Sequence, residues 1–248
     1  MIIGTWHPGS GVGDQIFCYL AARVIAERLG VDLGMVGEFK GESFIKLDRG
    51  KKVSISYIVE QPAQKIVIQN DWPVFESKTN YYNPEFNFIE DDTIVDGCTL
   101  QDERYWDLPL VKEWLNSDIL KMKEDVCVIN LRGGEYRVFS ELLLPVSYWN
   151  KAIEEMKKIN PNMKFEVHTD DLELAKIFFP EYKAIHDVGL NWRSVRDAHY
   201  SILSNSAFGI IPALLSPAKK IIAPRWWARH NIKEWSMPSN YYSRFQYI

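Results

Sequence analysis

The segment VCVINLRGG, residues 126–134, decides the fold class, because a run that is apolar except for Asn130 stops at an arginine and two glycines. A short apolar run that ends at glycines is typical of a buried strand. A helix is predicted after it at about 146–158, where apolar residues recur on one face. Strand, glycine turn and helix in succession form the repeating unit of α/β folds. The segment therefore predicts an α/β fold.

The same alternation occurs on both sides of this segment. Residues 2–6 read as a short strand, a glycine turn follows at 9–13, and apolar residues at 16–29 recur at helical spacing before Gly30, which suits a helix C-cap. Because strands that alternate with helices pair in parallel, we expect parallel strands covered by helices on both faces. Further strands are predicted at 164–168, 184–186, 201–204 and 220–223, and further helices at 171–179, 191–200 and 207–215.

The middle of the chain carries a weaker pattern. Residues 53–59 alternate like a strand, and residues 108–120 are predicted to be helical. The charged stretch 121–125 then separates two halves of similar size. We therefore expect two domains, residues 1–122 and residues 123–248, each long enough to bury a core.

The composition is that of an ordinary globular protein. Of the 248 residues, 46% are hydrophobic and 25% are charged, and the formal net charge is −4. Because the chain has no broad basic field, nucleic acid is not expected as a partner. The three cysteines show no C-x-x-C spacing, which argues against a disulfide framework or a zinc site. A membrane span is not expected either, because a run of about 18 apolar residues is missing, and we expect a cytoplasmic protein.

The loops that follow the strands are the expected position of a site. In open α/β sheets, ligands bind beyond the carboxyl ends of the strands. This rule selects the loops at 7–15, 132–137, 169–171 and 204–207, where glycines, charged residues and small polar residues gather.

The loop at 9–15, GSGVGDQ, precedes the first predicted helix. Glycines at the start of a helix allow backbone N–H groups to approach a phosphate. The sequence is neither a dinucleotide-binding fingerprint nor a Walker loop. The alternative is a tight turn in which Asp14 caps the helix.

The loop at 130–136, NLRGGEY, places Arg132 at the end of a strand. A guanidinium there suits a diphosphate, because its planar fork matches two oxygens at once. The alternative is a structural ion pair between Arg132 and Glu135 or Asp170.

Two further loops carry polar residues. The adjacent carboxylates Asp170 and Asp171 could accept hydrogen bonds from a base or ribose, bind a metal, or cap the next helix. A metal site would need more ligands than the spacing supplies. The residues Asn205 and Ser206 could form an anion site before a helix, or simply cap it.

Taken in order, six segments resemble those of the family 11 fucosyltransferases, the α-1,2-fucosyltransferase group. Residues 11–17 resemble its G-x-G-N-Q-M-F opening, residues 97–106 are similar to G-Y-x-Q-S-E-K-Y-F, and residues 130–136 to H-x-R-R-G-D-Y. Residues 165–171, 202–208 and 222–226 resemble F-x-I-F-S-D-D, I-I-A-N-S-S-F and I-A-P-K-x-W.

The resemblance implies a GT-B-like fold, with two Rossmann-like parallel-sheet halves facing a cleft. It implies an acceptor-side domain at 1–122 and a nucleotide-sugar-binding domain at 123–248. The implied reaction transfers fucose from GDP-fucose to a glycan hydroxyl with inversion. No metal and no cofactor other than the donor substrate is expected.

The resemblance also implies roles for single residues. Arg132 would hold the β-phosphate and stabilise the leaving GDP, whereas Gly133 replaces the second arginine of the family motif. Asn130 stands where the family has a histidine near the base, and Glu135 replaces an aspartate. The catalytic candidates are Arg132, Glu135 and Asp14, with His7 as a further candidate for the general base. The donor-binding candidates are Gly11, Gly13, Gln15, Asn130, Arg132, Asp170, Asp171, Asn191, Asn205 and Ser206.

Two other functions fit the same residues. The altered positions Asn130 and Asn191 would lie where the base is read, which allows a different nucleotide sugar as the donor. The loss of the second arginine allows a catalytically silent relative that binds glycans or serves as an interaction protein.

Overall fold

The computed structural model describes residues 1–53, 72–77, 82–97, 100–115, 121, 124–225, 227–228, 235–236 and 242–248. The chain forms two compact units, Met1–Ser117 and Asp118–Ile248. The division predicted from the sequence, between residues 122 and 123, lies outside the described residues. The roles that the resemblance assigns to the two halves stay predictions.

The first unit is built on a four-stranded parallel sheet. Its strands are β1 (Ile2–Thr5), β2 (Leu33–Val36), β3 (Val74–Glu76) and β4 (Thr93–Asp96), in the order β2-β1-β4-β3. The helices are α1 (Val12–Leu29) and α2 (Leu108–Trp114).

Helix α1 covers the sheet of the first unit. Its residues Ile16, Phe17 and Leu20 are fully buried. The helix ends at Gly30, which adopts φ 66° and donates its N–H to the last turn. Because only glycine takes this left-handed conformation without strain, the predicted C-cap is confirmed.

The second unit contains a six-stranded parallel sheet. Its strands are β5 (Val126–Leu131), β6 (Lys164–Thr169), β7 (Lys183–Ile185), β8 (Tyr200–Leu203), β9 (Lys220–Ala223) and β12 (Phe245–Tyr247), in the order β12-β9-β8-β5-β6-β7. The short strands β10 (Trp227–Ala228) and β11 (Trp235–Ser236) pair with each other in antiparallel fashion. The helices are α3 (Val146–Ile159), α4 (Leu172–Phe178), α5 (Val188–Asp197) and α6 (Ala207–Leu215).

Apolar residues from the strands and helices of the second unit form its core. All six residues of β5 are buried, as expected for the central strand of a parallel sheet. Trp149 of α3 is 1% exposed, and its ring meets that of Phe179 edge to face at 5.7 Å between centroids. The core fixes where the strands end, and therefore where the loops beyond them lie.

The predicted α/β class with parallel sheets is confirmed in both units. Helix α5 is displaced from its predicted range, 191–200, because Asp187 caps it earlier by accepting a hydrogen bond from the N–H of Leu190 at 2.6 Å. The predicted strand at 53–59 lies outside the described residues except for its first residue. Within the ranges that the structure describes, no helix combines the length and the apolar character that crossing a membrane requires.

Candidate functional site

In each sheet the strand order reverses beside the first strand, because later strands are added on both sides of it. In the first unit, β2 and β4 lie on opposite sides of β1, and in the second unit β6 and β8 lie on opposite sides of β5. Ligands of open α/β sheets bind outside the carboxyl ends of the strands at such switch points. The residues that follow β1 and β4, and those that follow β5 and β8, are therefore the candidate site residues.

Arg132 follows β5 directly and lies at the switch point of the second sheet. Its guanidinium forms an ion pair with Asp170 and another with Glu135, the latter at 2.9 Å, and its side chain is 33% exposed. The guanidinium also lies 5.4 Å from the ring centre of Tyr136. The ion-pair alternative considered for Arg132 is thus confirmed, and it involves both carboxylates.

The two adjacent aspartates after β6 have different roles. Asp170 accepts a hydrogen bond from the N–H of Gly133 at 2.7 Å in addition to pairing with Arg132, so it fixes the conformation of the arginine loop. Asp171 caps α4 by accepting from the N–H of Leu174 at 2.9 Å. The capping alternative is confirmed for Asp171, whose carboxylate is used within the protein.

The loop after β8 brings the start of α6 to the same sheet edge. Ser206 is the N-cap residue, and its side chain makes no capping hydrogen bond. Asn205 precedes the N-cap, and its side-chain amide donates to the carbonyl of Leu142 at 3.0 Å. Capping by the side chain of Ser206 is therefore wrong, and the N-terminus of α6 presents backbone N–H groups with a partial positive charge.

A hydrogen bond joins the arginine loop to the loop that precedes α6. The hydroxyl of Tyr136 donates to the carbonyl of Asn205 at 3.1 Å. Gly209, in the first turn of α6, packs closely against the buried Asn130 of β5. A Cβ at position 209 would lie only 2.7 Å from Oδ1 of Asn130. The guanidinium of Arg132 and the N-terminus of α6 are thus held at one edge of the second sheet.

Asn191, which the sequence places near a donor base, makes two hydrogen-bond contacts inside the second unit. It is 5% exposed, and its amide NH2 donates to the carbonyl of Thr169 at 3.0 Å. Its Oδ1 lies 3.1 Å from Nδ1 of His168, which is itself buried. Both ends of the amide therefore join α5 to β6, and the donor-base role of Asn191 stays a prediction.

The glycine loop of the first unit leads into α1 as predicted. Asp14 and Gln15, which follow the loop, make contacts that the sequence did not predict. Gly11 is the N-cap, Gly13 is buried in the first turn, and Asp14 accepts from Nε2 of Gln101 at 3.2 Å instead of capping the helix. Gln15 is 1% exposed, and its amide joins the backbone of residues 38–40 through bonds of 2.9 and 3.0 Å. These contacts give Gln15 a structural role, and its part in donor binding stays a prediction.

A second polar group lies at the switch point of the first sheet, and sequence reasoning found only half of it. Nε2 of His7, which follows β1, lies 2.5 Å from Oδ1 of Asp96, the last residue of β4. The hydroxyl of Thr5 donates to the same oxygen at 2.6 Å. Asp96 could have been found from the short run T-I-V, which ends in Asp-Gly as the strand β5 ends in Arg-Gly.

No group of three or more His, Cys, Asp or Glu side chains suited to a metal ion occurs among the residues with described positions. The expectation of metal-independent chemistry stays a prediction. Cys18 and Cys127 are buried, and Cys98 lies outside the described residues.

The chain matches no protein-family model and no curated protein sequence. Among solved structures, it is similar to a NodZ α-1,6-fucosyltransferase soaked with GDP-fucose, with 15% identity, a TM-score of 0.47, and coverage of 96% of this chain and 98% of that chain. The same enzyme co-crystallised with GDP gives 14% identity, a TM-score of 0.47, and coverage of 97% and 98%. The fucosyltransferase NodZ from Bradyrhizobium gives 14% identity and a TM-score of 0.46, over 96% and 98% of the two chains.

Proposed function

We propose that the chain is a glycosyltransferase that uses a nucleotide diphosphate sugar, with GDP-fucose as the donor and a glycan hydroxyl as the acceptor. The observation that carries the proposal is that Arg132 and the N-terminus of α6 follow the neighbouring strands β5 and β8, at the switch point of the second sheet, and that Tyr136 joins their loops. The family 11 resemblance of the same two loops supports the choice of a sugar nucleotide.

The proposed site suits the departure of a diphosphate. When the bond between the anomeric carbon and the phosphate oxygen breaks, negative charge develops on the leaving phosphate. Arginine binds phosphate oxygens in a bidentate way, and a helix N-terminus attracts anions through its N–H groups and its dipole. Groups that are fixed before the reaction stabilise such charge best, and Asp170 fixes the arginine loop through Gly133 and Arg132. In this proposal, the hydroxyl of Ser206 donates a hydrogen bond to the same phosphate. The configuration at the anomeric carbon is inverted.

Diphosphate binding in this proposal requires Arg132 to exchange one of its partners. The carboxylate of Glu135 is the weaker one, because its side chain is 56% exposed and exposed ion pairs contribute only about 0–1 kcal/mol. Asp170 is 26% exposed and also holds the N–H of Gly133, so we expect it to stay. Glu135 then competes with the donor for Arg132, a role different from that of the general base, for which the sequence made it one of three candidates.

Replacing Glu135 with glutamine is expected to tighten GDP binding about two- to fivefold, because the amide no longer competes for the guanidinium. Isothermal titration with GDP measures the change. Glu173→Gln is the matched control, because Glu173 is another exposed carboxylate paired with a lysine, on α4. If Glu135 were the general base instead, Glu135→Gln would leave GDP affinity unchanged and lower kcat by about a hundredfold or more.

GDP is expected to raise the melting temperature of the protein, because a ligand that binds only the folded state stabilises it by about 2.7 kcal/mol at a hundred times its Kd. A thermal-shift series with GDP, UDP, ADP and TDP, and with inorganic phosphate as the control, tests this. Stabilisation by a nucleotide other than GDP would assign a different donor. If no nucleoside diphosphate raised the melting temperature, the result would favour a catalytically silent protein that binds glycans or other partners.

A different nucleotide sugar is the second candidate, and one observation favours it. Asn191, which the resemblance places near the donor base, uses both ends of its amide inside the protein. Recognition of a base then needs other residues, so the nucleotide series decides the donor.

A further inference from the structure

A series of hydrogen bonds inside the second unit leads from its buried interior toward the guanidinium of Arg132. It begins at His168, near the end of β6, which is 1% exposed. Nδ1 of His168 lies 3.1 Å from Oδ1 of Asn191, and the amide NH2 of Asn191 donates to the carbonyl of Thr169 at 3.0 Å. The pairing of β6 with β7 ends at His168, one residue before this carbonyl. The amide of Asn191 therefore holds β6 at the point where β7 no longer does.

The chemistry of these partners determines which nitrogen of His168 carries the hydrogen. A carbonyl oxygen only accepts, so the amide NH2 faces Thr169 and Oδ1 of Asn191 faces the ring. Because Oδ1 also only accepts, Nδ1 is the donor.

The imidazole of His168 is neutral. Burial lowers its pKa and outweighs the hydrogen bond to Asn191 and the charge of Glu166, which both raise it, while Lys183 lowers it further. Nε2 lies 3.9 Å from the carboxylate of Glu166 and has no hydrogen-bond partner among the residues with described positions. Within that part of the chain, the hydrogen bonding of the ring is therefore directed to Asn191.

The carbonyl of Thr169 belongs to the peptide group that leads to Asp170. A peptide group is planar, so a hydrogen bond on its oxygen also restrains the N–H and the Cα of the next residue. The carboxylate of Asp170 extends from this Cα, accepts from the N–H of Gly133 at 2.7 Å and pairs with Arg132. The hydrogen bond on the carbonyl therefore helps to place the carboxylate that holds the arginine.

We infer that His168 and Asn191 are positioning residues for the donor diphosphate. They act through Asp170, whose carboxylate holds Arg132 in place before the reaction. The inference rests on the proposed glycosyltransferase function and extends its phosphate site into the buried interior of the second unit. A guanidinium stabilises a leaving phosphate best when its supporting residues are themselves fixed. The other partner of the guanidinium, Glu135, is 56% exposed and restrains it less.

Two replacements of His168 separate the hydrogen bond from the packing of the ring. The amide nitrogen of asparagine stands as many bonds from the backbone as Nδ1, so His168→Asn can still donate to Asn191, but it leaves part of the ring volume empty. His168→Phe fills that volume and cannot donate.

We expect His168→Phe to weaken GDP binding about three- to tenfold, the contribution of one hydrogen bond. His168→Asn is expected to bind GDP within about twofold of the wild type, although its melting temperature falls because of the cavity. Isothermal titration and melting curves measure the two quantities. His186→Phe is the matched control, because His186 is exposed and lies in the second unit.

A double variant tests whether the effect of His168 passes through Arg132. In the Arg132→Ala background, His168→Phe is expected to weaken GDP binding no further, because the side chain that it positions is absent. A role in the fold alone predicts the same additional loss in both backgrounds. If His168→Asn does not fold, this comparison decides by itself.

Wild-type affinity in His168→Phe, or equal losses in His168→Phe and His168→Asn, would overturn the inference and leave the proposed function intact. The same holds for a full additional loss in the Arg132→Ala background. A wild-type protein that binds no nucleoside diphosphate would overturn the proposed function, and the positioning role of His168 and Asn191 with it.

Discussion

Arg132→Ala is expected to lower kcat for sugar transfer by about 10²–10³-fold, which corresponds to about 3–4 kcal/mol of transition-state stabilisation. The effect is large because Arg132 is the cation that the proposal places on the leaving diphosphate, beside the N-terminus of α6. The fold is expected to survive, because the side chain is partly exposed and its ion pairs contribute little to stability. Steady-state kinetics with GDP-fucose and a melting curve measure the two quantities.

Two further variants make this result specific. Arg137→Ala removes a nearby arginine that is 48% exposed and lies 3.4 Å from Asp171, so it should leave transfer nearly unchanged. Arg132→Lys keeps the charge but loses the planar fork, and we expect an intermediate rate. Near-wild-type transfer by a folded Arg132→Ala protein would contradict the phosphate role of this loop.

The sequence predicted the central strand of the second unit and the first helix of the first unit well, because their signals are local. The segment 126–134 shows in nine residues where β5 begins and where its loop starts, and Gly30 marks the end of α1 in the same way. Buried parallel strands are apolar throughout, and glycines mark the turns that follow them. The strand ends then place Arg132 and Ser206 at one edge of the sheet, as the topology rule requires.

The contacts that refine the site could not be predicted, because they join distant parts of the chain. His7 and Asp96 are separated by 89 positions, and Asn191 meets His168 across 23 positions. A side chain that looks suited to a ligand can instead satisfy buried polar groups of its own protein, as Gln15 does. Only the folded structure shows which partner each amide or carboxylate has taken.

The contacts of Gly133 could not be predicted from the sequence either. Comparison with the H-x-R-R-G-D-Y motif indicated only that a glycine replaces the second arginine. Gly133 is buried, and a Cβ built on it would lie 2.5 Å from Cβ of Asp171 and 3.0 Å from a methyl carbon of Leu174. Asp171 cannot retreat freely, because its carboxylate caps α4. A side chain at position 133 would therefore run into the start of α4.

Gly133→Ala is therefore expected to lower the free energy of unfolding by about 1–3 kcal/mol, the usual cost of overpacking. Gly133→Arg should lower it further and weaken GDP binding, because moving Asp171 displaces the start of α4 and the adjacent Asp170 that holds Arg132. Urea denaturation and GDP titration measure both effects, and Gly9→Ala is the control, because nothing lies within 4 Å of a Cβ there. A stable Gly133→Arg protein that bound GDP more tightly would show that this loop can adopt the two-arginine arrangement, and that the glycine reflects a different donor instead of a steric limit.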